Sequence, residues 1–295
     1  MPRSVVLNLL TGVFKVQYFR PDSLFLDRFE RDPASCNSCE PEASGKLKLV
    51  LDVRANGNAN TATKPPASLD HYRKVLQQVF DRYKGRVAVL VVEKEEDDAR
   101  LFWAGSASEY LKLLKAACEV SHSNHVPCTD GGMSSRAITA LVVDHDMAND
   151  QQTEAMGYIQ RLSGAGMPTL KEVQEFTARK AELTAVATSM LAGFKAAGVD
   201  YINFHWQEKD RLALHATIRF LKAAGGGLPV MSDSMGQRND DEAETLSKLE
   251  AVREEALPFV VWFSADDEGA RSLVNPDGSL RATGKAFQAT SATLK

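Results

Sequence analysis

A (β/α)8 barrel is the fold class that this 295-residue chain predicts. Strand-like runs that are apolar on both faces alternate with amphipathic helix patterns, the arrangement of a parallel sheet covered by helices. The alternation runs through the chain with no low-complexity linker, so residues 1–295 read as a single barrel domain. A doubly wound open sheet is the runner-up. No G-x-G-x-x-G follows a strand, which weighs against its dinucleotide-binding form.

The first 46 residues are the least regular. "VFKVQYFR" (13–20) reads as a strand, but too little chain precedes it for a complete strand–helix unit. The first β/α unit is therefore abbreviated, or "SVVLNLL" serves as one element. "KLKLVLDVRANG" is a strand followed by a loop. "SLDHYRKVLQQVFDRYKG" is a helix opened by Ser68 and closed by Gly85, with Val75, Leu76, Val79, Phe80 and Tyr83 on one face. After the strand "RVAVLVVE", "SASEYLKLLKAACEV" opens with a capping box, Ser106 to Glu109, which satisfies orphan amides at a helix start. "VPCTDGG" is a short strand and turn. A long helix follows, capped by Thr169 and Glu172 and stopped by Gly198. "VDYINFHW", "LPVMSDSMG" and "PFVVWFSAD" are the remaining strands, separated by helices at about 210–223 and 241–256.

Composition excludes some functions. The net charge is −4 with no basic stripe, which gives nucleic acid no footprint. The apolar run in "MPRSVVLNLLTG" is too short for a membrane span and lacks a signal-peptide cleavage pattern. A soluble protein, cytoplasmic if natural or else a recombinant product, is the expectation. Four cysteines do not make a disulfide framework at this length. Cys36 and Cys39 form "CNSC", but Cys118 and Cys128 supply no second C-x-x-C and no histidine has finger-like spacing. Free thiols in a loop are expected, with neither a metal nor a cofactor.

In a barrel of this class, polar residues at the carboxyl ends of the strands face the active site. The ends here carry Asp52 and Arg54; Glu93, Lys94 and Glu95; Thr129 and Asp130; Asn203, His205 and Trp206; Asp233 and Ser234; and Trp262. That many polar ends, with two tryptophans to stack on a flat ligand, point to a small-molecule pocket rather than a solvated rim. Lys94 stands out. "VVEKEEDD" (91–98) carries a strongly solvated amine straight out of an apolar strand into carboxylates.

These motifs resemble the clan-A glycoside hydrolases, retaining glycosidases built on (β/α)8 barrels. "VVEKEED" stands where that group has Asn-Glu, "NFHW" where it ends its sixth strand, and "LPVMSDSMGQ" where it has its second Glu. "VVWFSADDEGARSLVNPDGSLRATGKAF" is similar to its final strand, Trp and C-terminal segment. The resemblance covers about residues 45–290, and it implies departures. Glu95 stands in the acid/base place, Lys94 replaces the preceding Asn, and Ser234 replaces the nucleophilic Glu. Asp233, next door, is expected on the opposite face and so does not replace it. Two carboxyl groups are needed for retaining hydrolysis, so glycosidase activity is expected to be lost.

Loss of a nucleophile together with gain of an amine resembles the computationally designed retro-aldolases, in which a Schiff-base lysine is grafted onto a natural barrel. On that resemblance Lys94, Glu95 and Ser234 are the catalytic set. Asp52, Arg54, His205, Trp206, Asp233 and Trp262 are the binding set. Lys94 would form an iminium with an aromatic β-hydroxyketone, and Glu95 would take the β-hydroxyl proton. The amine's ordinary value near 10.4 must then fall toward neutrality, about 4 kcal/mol of differential stabilisation. Val91, Trp262, Phe204 and Met231 are expected to bury it, against an opposing pull from Glu93, Glu95 and Glu96. The alternatives are an inert, salt-bridged Lys94, reaction at Lys15 instead, or a glycosidase-like barrel that only binds sugar. Arg54 is expected to organise carboxylates, and His122 and His125 to lie at the surface.

Overall fold

The computed structural model describes residues 8–40, 45–265 and 269–291. All strand pairs within its sheets are parallel, as the two-faced apolar runs require. The chain begins with a π-helical turn, Leu9–Val13, followed by two strand pieces, β1 (Tyr18–Phe19) and β2 (Leu24–Phe25), and α1 (Leu26–Phe29). Then come β3 (Lys48–Arg54), α2 (Leu69–Arg82), β4 (Val87–Val92), α3 (Ala107–Ser123) and β5 (Cys128–Asp130). Three helices follow: α4 (Ser135–Ala148), α5 (Gln152–Ser163) and α6 (Leu170–Ala197). The remainder is β6 (Ile202–Trp206), α7 (Arg211–Ala224), β7 (Val230–Gly236), α8 (Glu242–Glu254), β8 (Val260–Phe263) and α9 (Ala282–Ser291).

The predicted strand at 13–20 shrinks to β1, and the apolar residues before it wind into the helical turn instead. The reason is Pro21. β1 and β2 both pair with β3, Phe19 opposite Leu49 and Leu24 opposite Val53, so they are two halves of one stave. Pro21 lacks an amide proton and cannot continue the ladder, and residues 20–23 bulge inward. The alternative element "SVVLNLL" falls mostly outside the described residues.

Amides bridge the gap between β5 and β6. Asp200 donates to the Cys128 carbonyl (2.8 Å) and His205 to the Met133 carbonyl (2.9 Å). Counting the split stave as one, seven parallel staves curve through the described residues. Between β8 and β1 there is no ladder. Tyr18 meets Phe259 edge-on at 5.0 Å across this seam, and a cavity of about 1310 Å³ opens beside it.

Alternation sorts the side chains. Leu49, Leu51 and Val53 face the helices, while Val50, Val89, Val91 and Met231 fill the barrel interior under Tyr201, Phe259 and Val261. The helices end where the sequence signals them. Ser68 caps α2 through the His71 amide, both capping boxes form, and Gly198 closes α6 at φ 88°. α4 and α5, which pack beside α6, add helical layers beyond the sequence-level outline.

The cysteines correct one expectation. Cys36 is bonded to Cys39, and Cys118 on α3 to Cys128 on β5, leaving no free cysteine. Cys118 and Cys128 are distant in motif terms, but the helix–strand return brings their Cα atoms to 5.3 Å, within bonding reach.

Met231 is fully buried in the interior plug. Met231→Ala is expected to cost about 2–5 kcal/mol in urea denaturation, because the truncation leaves a cavity in a fully buried, close-packed plug. An unchanged midpoint would place Met231 outside the barrel.

Candidate functional site

The plug of valines and Met231 is roofed by charge. Asp52 ends the inward row of β3 and Asp233 that of β7, and both are fully shielded from water. Arg20, carried inward by the bulge at Pro21, bridges them: Nη2 lies 2.8 Å from Asp52 and Nε 2.7 Å from Asp233. Ser23 donates to the same Asp52 oxygen at 2.5 Å. Asn203 Nδ2 donates to Asp233 Oδ1 (2.8 Å), and the Asp233 amide returns a bond to Asn203 Oδ1.

His205 completes the roof. Its Nε2 is 3.0 Å from Asp233 Oδ1 and its Nδ1 2.8 Å from Glu95 Oε1. An ionised carboxylate only accepts hydrogen bonds, so both ring nitrogens must donate, and the ring is an imidazolium. The energetics agree. Burial opposes that charge, but Asp233 and Glu95 outweigh it and hold His205 up at about 9. Burial likewise pushes Asp233 and Glu95 up, yet Arg20 and His205 hold Asp233, and His205 holds Glu95, below the ordinary carboxylate range.

The backbone that delivers Glu95 is unusual. Glu93 (φ 67°) and Glu95 (φ 38°) both sit in the left-handed region, uncommon for residues with a Cβ and concentrated at functional sites. The turn is crowded: a Cβ on Gly131 would fall 2.7 Å from the Glu93 carbonyl carbon, and one on Gly132 2.5 Å from His205 Nε2. "TDGG" therefore allows β5 to pass beneath this turn and beside His205.

Lys94 lies between those two strained residues. It is half-buried and lines the cavity, and its Nζ stands 5.1 Å from the centre of the Phe102 ring. No hydrogen bond or ion pair to Lys94 occurs among the described residues. Burial and the neighbouring Arg20 charge push its amine down, against Asp52, Glu95 and Asp233. Phe102 and its neighbours bury the amine, not the expected Phe204, which faces the helices.

The other acids of "EKEEDD" turn away. Glu93 accepts from the Ala55 amide at 2.7 Å and lies 3.6 Å from Arg54, and burial raises it to about 8. Glu96 is pushed well above its ordinary value by burial and by Asp130, which burial itself raises to about 7. Burial favours the protonated form of these acids beneath the site, and the pull on the amine comes from Asp52, Glu95 and Asp233 rather than from Glu93 and Glu96.

No family model matches this chain, and no curated protein matches it in sequence. Solved structures do. A glucosidase from Croceicoccus marinus superposes with a TM-score of 0.61 at 13% identity over 99% of this chain and 63% of its own. A GH39 β-xylosidase from Caulobacter crescentus gives 0.61 at 13% identity, over 98% and 67%. The endoglucanase Cel5A catalytic domain of Thermobifida fusca gives 0.53 at 13%, over 99% and 86%. The fold is a (β/α)8 barrel, as in these three hydrolases. The chain spans less than two thirds of the glucosidase's length.

Within this glycoside-hydrolase-like barrel the expected residues are distributed as follows. Lys94, Glu95, Asp52, His205 and Asp233 come together on the roof. Arg54 organises a carboxylate as expected, between the Phe25 and Phe102 rings and bonded to Thr63 and the Phe102 carbonyl. Ser234 pairs in register with His205 at the rim. Asp233, expected on the face opposite Ser234 and away from the site, instead turns into the barrel interior and meets Arg20, Asn203 and His205, because the register shifts along this stretch of β7. Trp262 lines the cavity, with Nε1 held by Gln237 at 2.8 Å. Trp206 does not: it is fully buried in the layer between sheet and helices. Lys15 is exposed on the cavity wall. His122 is half-exposed and pairs with Asp200. Arg20 and Ser23 were not legible as site residues; the one signal was the strand-breaking proline in "YFRPDS". Among the described residues no cluster of His, Cys, Asp or Glu could hold a metal, and no helix is long and apolar enough to cross a membrane.

The His205 charge is testable by nuclear magnetic resonance. Its folded value is about 9, above the unfolded value near 6.5. The stabilisation is therefore complete below about pH 6.5 and is lost as pH rises through about 9. The His205 ring resonance is expected to titrate near 9, and a midpoint at 6.5 would show that the two carboxylates do not hold the charge.

Proposed function

We propose that this barrel binds carbohydrate in the seam cavity and does not hydrolyse it. One observation carries the reading: the two roof carboxylates that meet His205, Glu95 and Asp233, sit on opposite nitrogens of a single imidazolium. Retaining hydrolysis needs one protonated carboxyl at the leaving oxygen and one bare carboxylate at the anomeric carbon. Here both are held ionised and both already accept from His205, so neither carboxyl is available as the acid near neutrality. Ser234 supplies no third carboxyl.

The cavity suits a sugar. Tyr18, Phe259 and Trp262 offer ring faces and edges on its walls, and Arg20 and Lys94 offer charged hydrogen-bonding groups. The fold neighbours include an oligosaccharide-binding GH128 (subgroup VII) protein from Trichoderma gamsii, TM-score 0.51 at 11% identity over 97% of this chain and 91% of its own. They also include a β-glucanase from Saccharophagus degradans solved with cellotetraose. Calorimetry with cello-, xylo- and β-1,3-gluco-oligosaccharides is expected to show binding by at least one series. Tyr18→Ala should weaken that binding about tenfold through loss of an aromatic contact, and aryl β-glycosides should release no phenol above buffer. Measurable turnover would remove the claim of hydrolytic silence, and no binding by any series would remove the claim of a sugar site.

A second reading rests on Lys94. An amine that lines a cavity, forms no ion pair among the described residues and is pushed toward its neutral form is positioned to attack a carbonyl. Retro-aldol cleavage also needs a base at the β-hydroxyl. Glu95, expected in that role, is a weakened base with one oxygen committed to His205. The amine is thus present without a ready base. Borohydride trapping with a β-hydroxyketone is expected to add mass at Lys94 rather than at exposed Lys15, and the free ketone's cleavage rate should stay near background. Selective labelling of Lys15, or of no lysine, would end this reading.

A further inference from the structure

We propose that the Cys36–Cys39 disulfide is a redox-sensitive latch that holds the Arg20 segment in place beside the cavity. The two disulfides of the chain have different surroundings. Cys118–Cys128 is sealed between α3 and β5, with both residues essentially unexposed. Cys36 is on the cavity wall, together with Ser35 and Ser38 of the same loop and Arg20, Asp22 and Ser23 of the bulge. A soluble dithiol entering the cavity therefore meets one disulfide and not the other.

The loop closed by this disulfide grips the bulge directly. Ser38, between the two cysteines, accepts from the Asp22 amide (3.0 Å) and donates to Asp22 Oδ2 (2.9 Å). The Cys39 amide bonds the Cys36 carbonyl at 3.0 Å, tightening the same turn. On the other side the loop is stapled to the scaffold, with Arg86 donating to the Cys39 carbonyl and both Arg82 and Tyr83 to Glu40. Asp22 lies between Arg20 and Ser23, the two residues that hold Asp52. Pro21 has already removed a ladder bond from this stretch. The chain from the disulfide to the roof is short: Cys36–Cys39, Ser38, Asp22, Arg20.

The chemistry balances with a dithiol as reductant. One of its thiolates attacks the Sγ of Cys36, the residue of the pair that lines the cavity, the Cys36–Cys39 bond breaks, and Cys39 leaves as a thiolate. The reductant's second thiolate then displaces Cys36 from the mixed disulfide and departs as an oxidised disulfide. Both cysteine thiolates take up protons. Opening the short Cys36–Cys39 loop frees Ser38 from its turn, and the grip on Asp22 is lost.

Thiol trapping and hydrogen exchange on the full chain test this. Under graded dithiothreitol without denaturant, an alkylating reagent is expected to label Cys36 and Cys39 first, and Cys118 and Cys128 only after unfolding. Reduction should raise exchange at the Asp22 and Ser23 amides by about tenfold, the effect of losing roughly one hydrogen bond's stabilisation, with the β4 amides unchanged. Ser38→Ala should give the same local rise while the disulfide stays closed, which separates the latch from general loosening. Equal or earlier opening of Cys118–Cys128, or unchanged Asp22 exchange on reduction, would overturn the proposal.

Discussion

Asp233 carries a full negative charge where water does not reach, and the site is arranged around satisfying it. Its oxygens accept from Arg20, His205 and Asn203, three donors from the bulge before β2 and from β6. An unpaired carboxylate at this depth would take up a proton or unfold the chain. The ring of donors ties β7 to β6 on one side and, across the unlaced seam, to the split first stave on the other. Where the backbone ladder between β8 and β1 is absent, Arg20 supplies the cross-link, gripping β3 through Asp52 and β7 through Asp233.

The same arrangement constrains the chemistry. A histidine with carboxylates on both nitrogens becomes a fixed cation, and a fixed cation keeps both carboxylates ionised. General acid catalysis needs a group whose affinity for the proton is near the working pH, and the clamp moves Glu95 and Asp233 away from that condition. The acids raised toward that condition lie one layer deeper, Glu93 at about 8 and Asp130 at about 7, pushed up by burial and absent from the cavity lining. A pocket with balanced, immobile charges and aromatic walls is better matched to holding a polar ligand than to transferring its protons.

Lys94 is the exception to this pairing. The left-handed residues on either side of it fold Glu93 inward and send Glu95 to His205, and the amine between them is left facing the cavity and Phe102. Its position depends on two glycines in the next stave, at 131 and 132, which let the strands approach more closely than any Cβ would allow.

The sequence by itself determined the staves and most of the helices. Apolar runs at 48–54, 87–92, 202–206 and 230–236 became strands, and Ser68, Ser106 and Thr169 capped the helices they were expected to cap. Those signals are local: a strand needs two apolar faces, and a cap needs an oxygen within three residues of an orphan amide. Barrel topology then placed Lys94, Glu95, His205 and Asp233 at one end, so the roof was legible as a set of strand ends. Tertiary structure alone decided what that set does. Arg20 meets Asp233 across 213 residues of sequence, a pairing with no periodicity to reveal it. His205 and Trp206 were read together as one strand end, although neighbours on a strand point to opposite faces; Asp233 was assigned by alternation from Ser234, and β7 shifts register between Ser232 and Met235. The disulfides likewise formed where folding brought Cα atoms to 5.3 Å, whatever their spacing along the chain. Local patterns fix backbone conformation because hydrogen bonds and burial repeat every few residues. Ion pairs and disulfides depend on distances in space, which exist only once the staves have packed around them.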